Sequence, residues 1–161
     1  MKDAGAEIQE ALASQGRLVE QIEEAIAGMT DAYLREPECP GKWSIIEVIQ
    51  HLADTELVGA FRLRMILAEP GSVLALFDQD AWARELGYRT RRIDDAIEQL
   101  RVVRRANLRL LQQMACDVLT RSGRVGDSDV TVGQLIQKYA RHDQIHLRQI
   151  GRIKMALNSG Q

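Results

Sequence analysis

Apolar residues in this chain recur mostly at steps of three and four, with polar residues between them, the periodicity of helices that bury one face. Ile8, Leu12, Leu18, Val19, Ile22, Ile26 and Met29 form the first such stripe and predict a helix from about Ala6 to Met29. Pro37 and the Pro40-Gly41 pair then break the chain. A second helix is predicted to start at Ser44, where Ser44 and Glu47 form the S-x-x-E pattern of a capping box and Trp43 is placed to staple onto Val48. Its inner face carries Ile45, Val48, Ile49, Leu52, Ala60, Leu63 and Ile66, as far as Pro70-Gly71.

A third helix is predicted from about Ile93 to Cys116, with Ile97, Leu100, Val103, Leu110, Leu111 and Met114 facing inward. The polar run Arg121 to Asp129 reads as a loop. The fourth helix opens at Thr131, with Gln134 in the capping position and Val130 able to pack on Leu135, and ends near Leu157. No strand-like alternation of useful length stands out, so the pattern predicts an all-α four-helix bundle. The connection from Ala68 to Arg92 is long enough to cross the bundle and let the second and third helices run parallel. Its middle, Phe77 to Tyr88, predicts a short helix, and the segment is expected to lid one end of the bundle.

Composition narrows the picture. At 161 residues and 18.1 kDa, with 45% hydrophobic and 27% charged residues, a single globular domain is expected. Acidic residues interleave with the arginines, and a net charge of −2 leaves no field to attract nucleic acid. No stretch approaches the roughly 20 apolar residues of a membrane span, and the first residues lack the apolar run of a signal peptide. Cys39 and Cys116 are too few and too far apart for a disulfide framework. Both are expected to be inert thiols in a reducing cytoplasm.

The chemistry lies in the histidines. His142 and His146 sit in the apolar stripe of the fourth helix, among Val132, Leu135, Ile136, Tyr139, Ile150, Ile153 and Leu157. Burying an unpartnered imidazole costs about 1–3 kcal/mol, so two in succession call for a reason. At i and i+4 they lie about 40° apart on one helix face, where both can reach one ion. A third ligand must come from another helix, and His51, beside Val48 and Leu52, is the histidine that remains. Three neutral nitrogens with water in the remaining positions suit zinc, nickel or another borderline divalent transition metal.

The segments Lys42–Glu56 (KWSIIEVIQHLADTE) and Thr131–Ile150 (TVGQLIQKYARHDQIHLRQI) resemble the two hallmark segments of the DinB/YfiT-like superfamily, W-S-x-x-E-x-x-x-H-L and H-D-x-x-H-x-x-Q-I. The block Phe77–Tyr88 (FDQDAWARELGY) is similar to the linker of that family. The resemblance implies an up-down-down-up four-helix bundle, often a homodimer, in which His51, His142 and His146 hold a divalent metal with open positions. It also implies either thiol-dependent transfer to small electrophiles, using a low-molecular-weight thiol, or metal-dependent hydrolysis. A non-enzymatic, stress-associated metal-binding protein is the rival reading.

Other polar positions have two readings each. Asp143 reads as an acceptor for a ligand ring N–H or as a helix-pairing carboxylate. Glu47 reads as a candidate base or simply as the capping residue. Either carboxylate could instead close the site as a fourth ligand. Glu56, on an inner stripe, calls for a buried arginine. Arg104 and Asn107 interrupt the third helix's stripe and read as substrate-binding groups or structural pairs. Phe77, Trp82 and Tyr88 could wall a substrate pocket under the crossover, although satellite core is the first reading for Trp82.

Overall fold

The structure, a computed structural model, describes residues 4–159 without the side chain of Ala4 or that of Cys116, whose expected inertness therefore lies outside the described residues. The first predicted helix forms as two, α1 (Ala4–Gly16) and α2 (Leu18–Ile26), interrupted at Arg17. Ser14, Gln15 and Gly16 lead into the break, and glycine is among the weakest helix formers. The buried face runs on regardless: Ile8, Leu18, Val19 and Ile22 are all in the core. A short α3 (Asp31–Arg35), not expected from the periodicity, is capped by Thr30, whose Oγ1 accepts from Tyr33 N–H at 3.2 Å.

The second bundle helix, α4 (Ile45–Ala68), starts where its capping box predicts. Ser44 N–H donates to Glu47 Oε2 at 2.8 Å. Every residue from Ile45 to Glu56 is buried except half-buried Glu47, which makes α4 the central helix. Two further helices flank it, α6 (Ile93–Gln112) and α7 (Val132–Ser159). Asp54 meets Gln99 and Glu56 meets Asn107, so α6 runs parallel to α4. His51 meets His142 while Gly59 lies against Tyr139, so α7 runs antiparallel to it. The first helix pairs in parallel with α7 through Ser14–Gln144 and, further along, Ala25–Lys154. The order is up-down-down-up.

The crossover contains the predicted short helix, α5 (Gln79–Glu85), whose N-terminal amides are accepted by Asp78. It departs from a lid confined to one end, because polar anchors strap it along α4. Arg62 donates to the carbonyl of Ala75, Tyr88 Oη donates to Asp54 Oδ2 at 2.7 Å, and Gln50 Nε2 donates to the carbonyl of Arg92 at 2.9 Å.

Two expectations are corrected. The third bundle helix ends at Gln112 rather than Cys116, and a 3-10 turn at Cys116–Thr120 follows, leaving Met114 exposed. The run read as a polar loop is a hairpin of β2 (Ser122–Val125) and β3 (Ser128–Thr131), turned by Gly126 at φ +59°. A two-residue strand, β1 (Val73–Leu74), joins β2 in parallel from the crossover. Four-residue strands are too short to show alternation, and β1 exists only because the crossover passes beside the hairpin.

The apolar core divides into two clusters. One gathers Leu18, Ile22, Val48, Ile49, Leu52, Leu100, Ile150 and Ile153; the other gathers Ile8, Leu63, Ile66, Val132, Leu135 and Ile136. Between them lies a buried polar belt containing Gln15, Glu56, Arg104, Asn107 and Asp143. His142 and His146 flank this belt on α7, and His51 stands on α4 at the edge of the first cluster.

Candidate metal centre

His51 projects from the second turn of α4, and His142 and His146 from successive turns of α7. His51 Nε2 lies 3.1 Å from His142 Nε2, and His142 Nε2 lies 3.1 Å from His146 Nε2. One ligand nitrogen from each ring falls within 4.8 Å of the others. Nitrogens bound tetrahedrally to one ion at roughly 2.0–2.1 Å would stand about 3.3 Å apart, so the two separations of 3.1 Å fit a shared cation.

The electrostatics point the same way. Burial holds His51 far below the ordinary imidazole value, at about 3, with His146 and His142 adding to the effect. Burial likewise holds His142 at about 4, assisted by His146, Lys138 and Arg104. His146 is lowered by burial, and its bond to Gln149 opposes the shift. All three rings are therefore neutral near pH 7, the form in which imidazole is a ligand.

Hydrogen bonds orient the rings. Gln149 Oε1 accepts from His146 Nδ1 at 2.7 Å, which leaves the His146 Nε2 lone pair facing the other two histidines. Thr55 Oγ1 lies 3.5 Å from His51 Nδ1 and 3.4 Å from its Nε2, and the Trp43 ring stands 5.0 Å from the His51 ring, centroid to centroid. His142 Nδ1 is buried without a partner. Lone pairs converging at 3.1 Å repel unless a proton or a cation lies between them, and the donor set suits a divalent transition metal.

No carboxylate or thiol joins the three histidines among the described residues. Glu47 is engaged with its capping partner, its Oε2 accepting from the Ser44 amide and, at 2.7 Å, from Ser44 Oγ. Asp143, next to His142 in sequence, turns away from the rings and accepts from Arg104 at 2.8 and 3.3 Å. Burial pushes Asp143 up to about 6 against the pull of Arg104, with Glu56 adding to the rise.

The remaining sequence candidates lie elsewhere. Glu56 has its buried arginine: Arg104 Nη2 stands 2.8 Å from Glu56 Oε2, and the two side chains are only 4% and 6% exposed. Asn107 Nδ2 donates to Glu56 Oε1 at 2.7 Å, and its Oδ1 accepts from Arg64 at 2.7 Å. Arg104 and Asn107 thus engage partners within the chain, the structural pairing that is the second reading of each, and Arg104 Nε is left buried without a partner. Trp82 packs against Phe77 with ring centroids 4.8 Å apart, and the indole beside the histidines is Trp43. Buried Tyr88 ties the crossover to Asp54, which also accepts from Gln99 at 3.0 Å. Gln149, Thr55 and Asp54 had no assigned role from sequence. Only Gln149 carried a signal, at i+3 from His146 and inside the quoted motif.

A four-helix bundle of this order with three converging neutral imidazoles is the architecture of a divalent-metal protein with ligands from two helices. The chain belongs to the DinB superfamily, whose family model matches residues 7–150. A "Putative metal-dependent hydrolase" of Oceanobacillus iheyensis is 24% identical over 141 residues, 87% of this chain and 80% of that protein. Proteins of the same description from Geobacillus thermodenitrificans and Geobacillus kaustophilus are 26% and 30% identical, and the matches span about half the length of those relatives, 51% and 44%.

Among solved structures, YfiT from Bacillus subtilis, described as a probable metal-dependent hydrolase with an unusual four-helix bundle topology, superposes with a TM-score of 0.88 at 20% identity, covering 94% of this chain and 87% of that one. The mycothiol-dependent maleylpyruvate isomerase superposes at 0.68 with 13% identity, covering 89% and 60%. At such identities these likenesses show the shared fold.

Proposed function

We propose that this protein is a divalent-metal-dependent enzyme in which His51, His142 and His146 hold the ion and leave a position free for a small nucleophile. The observation that carries the reading is the convergence of three neutral imidazoles with no fourth protein donor among the described residues. Sites with three protein ligands are the catalytic kind, whereas structural zinc sites are closed by four. Zinc and nickel both suit an all-imidazole set.

When bound, the metal supplies Lewis acidity that ionises a coordinated thiol or water. The chain's own part is to present the three nitrogens neutral and fixed in orientation. Gln149 selects the tautomer of His146, and the wall formed by Trp43 and α4 shields His51 from water. The favoured reaction is transfer of a low-molecular-weight thiol to a small electrophile, a choice supported by the thiol dependence of the structurally similar isomerase. The names of the curated relatives favour a second reading, hydrolysis. A homodimer in a reducing cytoplasm belongs to the same proposal.

The test is to load the protein with zinc or nickel and assay it with a panel of thiols and electrophiles, and separately with activated esters and amides. Thiol-dependent turnover that disappears in His146→Ala supports transfer, and thiol-independent turnover supports hydrolysis. A protein that binds metal stoichiometrically yet turns over neither panel overturns the enzymatic reading.

A further inference from the structure

Of the metal ligands, His51 on α4 stands at the edge of the first apolar cluster, between Ile49 and Leu52, and His142 and His146 on α7 stand where the apolar core is interrupted. The two apolar clusters draw on α4 at Ile45–Ala53 and again at Leu63–Leu67, and on α7 at Val132–Ala140 and again from Leu147 onward. Hydrophobic contact is non-directional and does not by itself fix the register of the two helices. A buried ionic cluster fills the gap.

Arg104 on α6 touches all the other bundle helices. Its Nη1 donates to the carbonyl of Gln15 on α1 at 3.0 Å and to Asp143 Oδ2 on α7 at 2.8 Å. Its Nη2 donates to Asp143 Oδ1 at 3.3 Å and stands 2.8 Å from Glu56 Oε2 on α4. Asp143 is the residue after His142, and Glu56 lies five positions beyond His51 on the same helix. One planar fork thus joins the His51 helix to the residue beside His142. A guanidinium holds carboxylates in a fixed geometry that a lysine ammonium does not reproduce.

We infer that Arg104 is a positioning residue for the metal centre, bridging Glu56 and Asp143 so that α4 and α7 present their histidines at coordinating distance. The inference rests on the metal-centre reading above. Two carboxylates sharing one buried cation are a poor stabilising device, because replacing such clusters by apolar side chains is often neutral or stabilising. What the cluster provides is directional registration of two helices. Metal–ligand distances tolerate only about 0.2 Å of error, so a small slip of α7 against α4 removes a ligand.

Cobalt(II) binding separates this role from simple structural support. The parent should bind one cobalt per chain with a visible absorption spectrum. In the variant Glu56→Gln/Arg104→Met/Asp143→Leu, which leaves no unpaired charge, the thermal midpoint should match or exceed the parent's. Its cobalt affinity should fall at least tenfold, with an altered spectrum. Arg104→Lys retains the cation and should also bind at least tenfold more weakly while remaining helical, which keeps the test open if the triple variant does not fold. A folded variant that holds cobalt with the parent's affinity and spectrum overturns the inference alone. A parent that binds no cobalt overturns the metal-centre reading and the inference together.

Discussion

Between His146 and Gln149 a single hydrogen bond of 2.7 Å decides which imidazole nitrogen faces the other two histidines. Replacing Gln149 by Leu should weaken zinc binding about 10–100-fold without unfolding the chain, as read by competition with a chromophoric chelator. His146→Ala removes a ligand outright. Metal content should fall from one ion per chain to nearly none while the circular dichroism stays helical, and full retention would show that His146 does not bind. The pH dependence follows from the sign of the shifts. His51 and His142 have folded values near 3 and 4 against an ordinary 6.5, so the unfolded chain takes up protons first as pH falls. Their contribution to the stability of the metal-free protein is complete above 6.5 and is lost progressively toward about 4 for His142 and about 3 for His51. The urea midpoint of the metal-free protein should therefore drop between neutral pH and about pH 5, and an unchanged midpoint would contradict neutral burial.

Helix starts were readable because capping is local. Thr131 Oγ1 accepts from Gln134 N–H at 3.1 Å and Thr131 N–H donates to Gln134 Oε1 at 2.9 Å, as the T-x-x-Q pattern predicts. Ser44→Ala, which removes the matching box on α4, should cost roughly 0.5–2 kcal/mol in urea unfolding. The hairpin was not readable, because its two short strands are held by pairing with each other and by what packs beneath them. A Cβ built on Gly123 of β2 would lie 2.9 Å from the Ile66 side chain and 3.0 Å from the carbonyl oxygen of Ser72. Since backbone cannot step aside as a side-chain tip does, Gly123→Ala should destabilise by about 1–3 kcal/mol in the same measurement. Wild-type stability in this variant would mean the sheet is looser than described.

At the scale of the whole molecule, an ion held by His51, His142 and His146 would couple the two distant halves of the chain. A ligand that binds only the folded state stabilises it by mass action, about 2.7 kcal/mol at a hundredfold excess over the dissociation constant. Zinc should accordingly raise the thermal midpoint of the parent and leave that of His146→Ala unmoved, while a chelator should lower the parent's midpoint. No helix of the described residues is long and apolar enough to cross a membrane.

Local sequence alone determined the four bundle stripes, the two capping boxes and the inward placement of the three histidines, because each depends on residues within a turn or two of one another. The same spacing marked Glu56 and Arg104 as polar intrusions into buried faces. Only the tertiary structure decided that they pair, that Asp143 serves Arg104 rather than a histidine, and that the crossover is strapped to α4 through Asp54 and Arg62. Those partners lie 34 or more residues apart in three of the four cases, and the nearest, Arg62 with Ala75, are 13 apart. At such distances along the chain, which groups meet depends on how whole helices pack, and no local pattern encodes it.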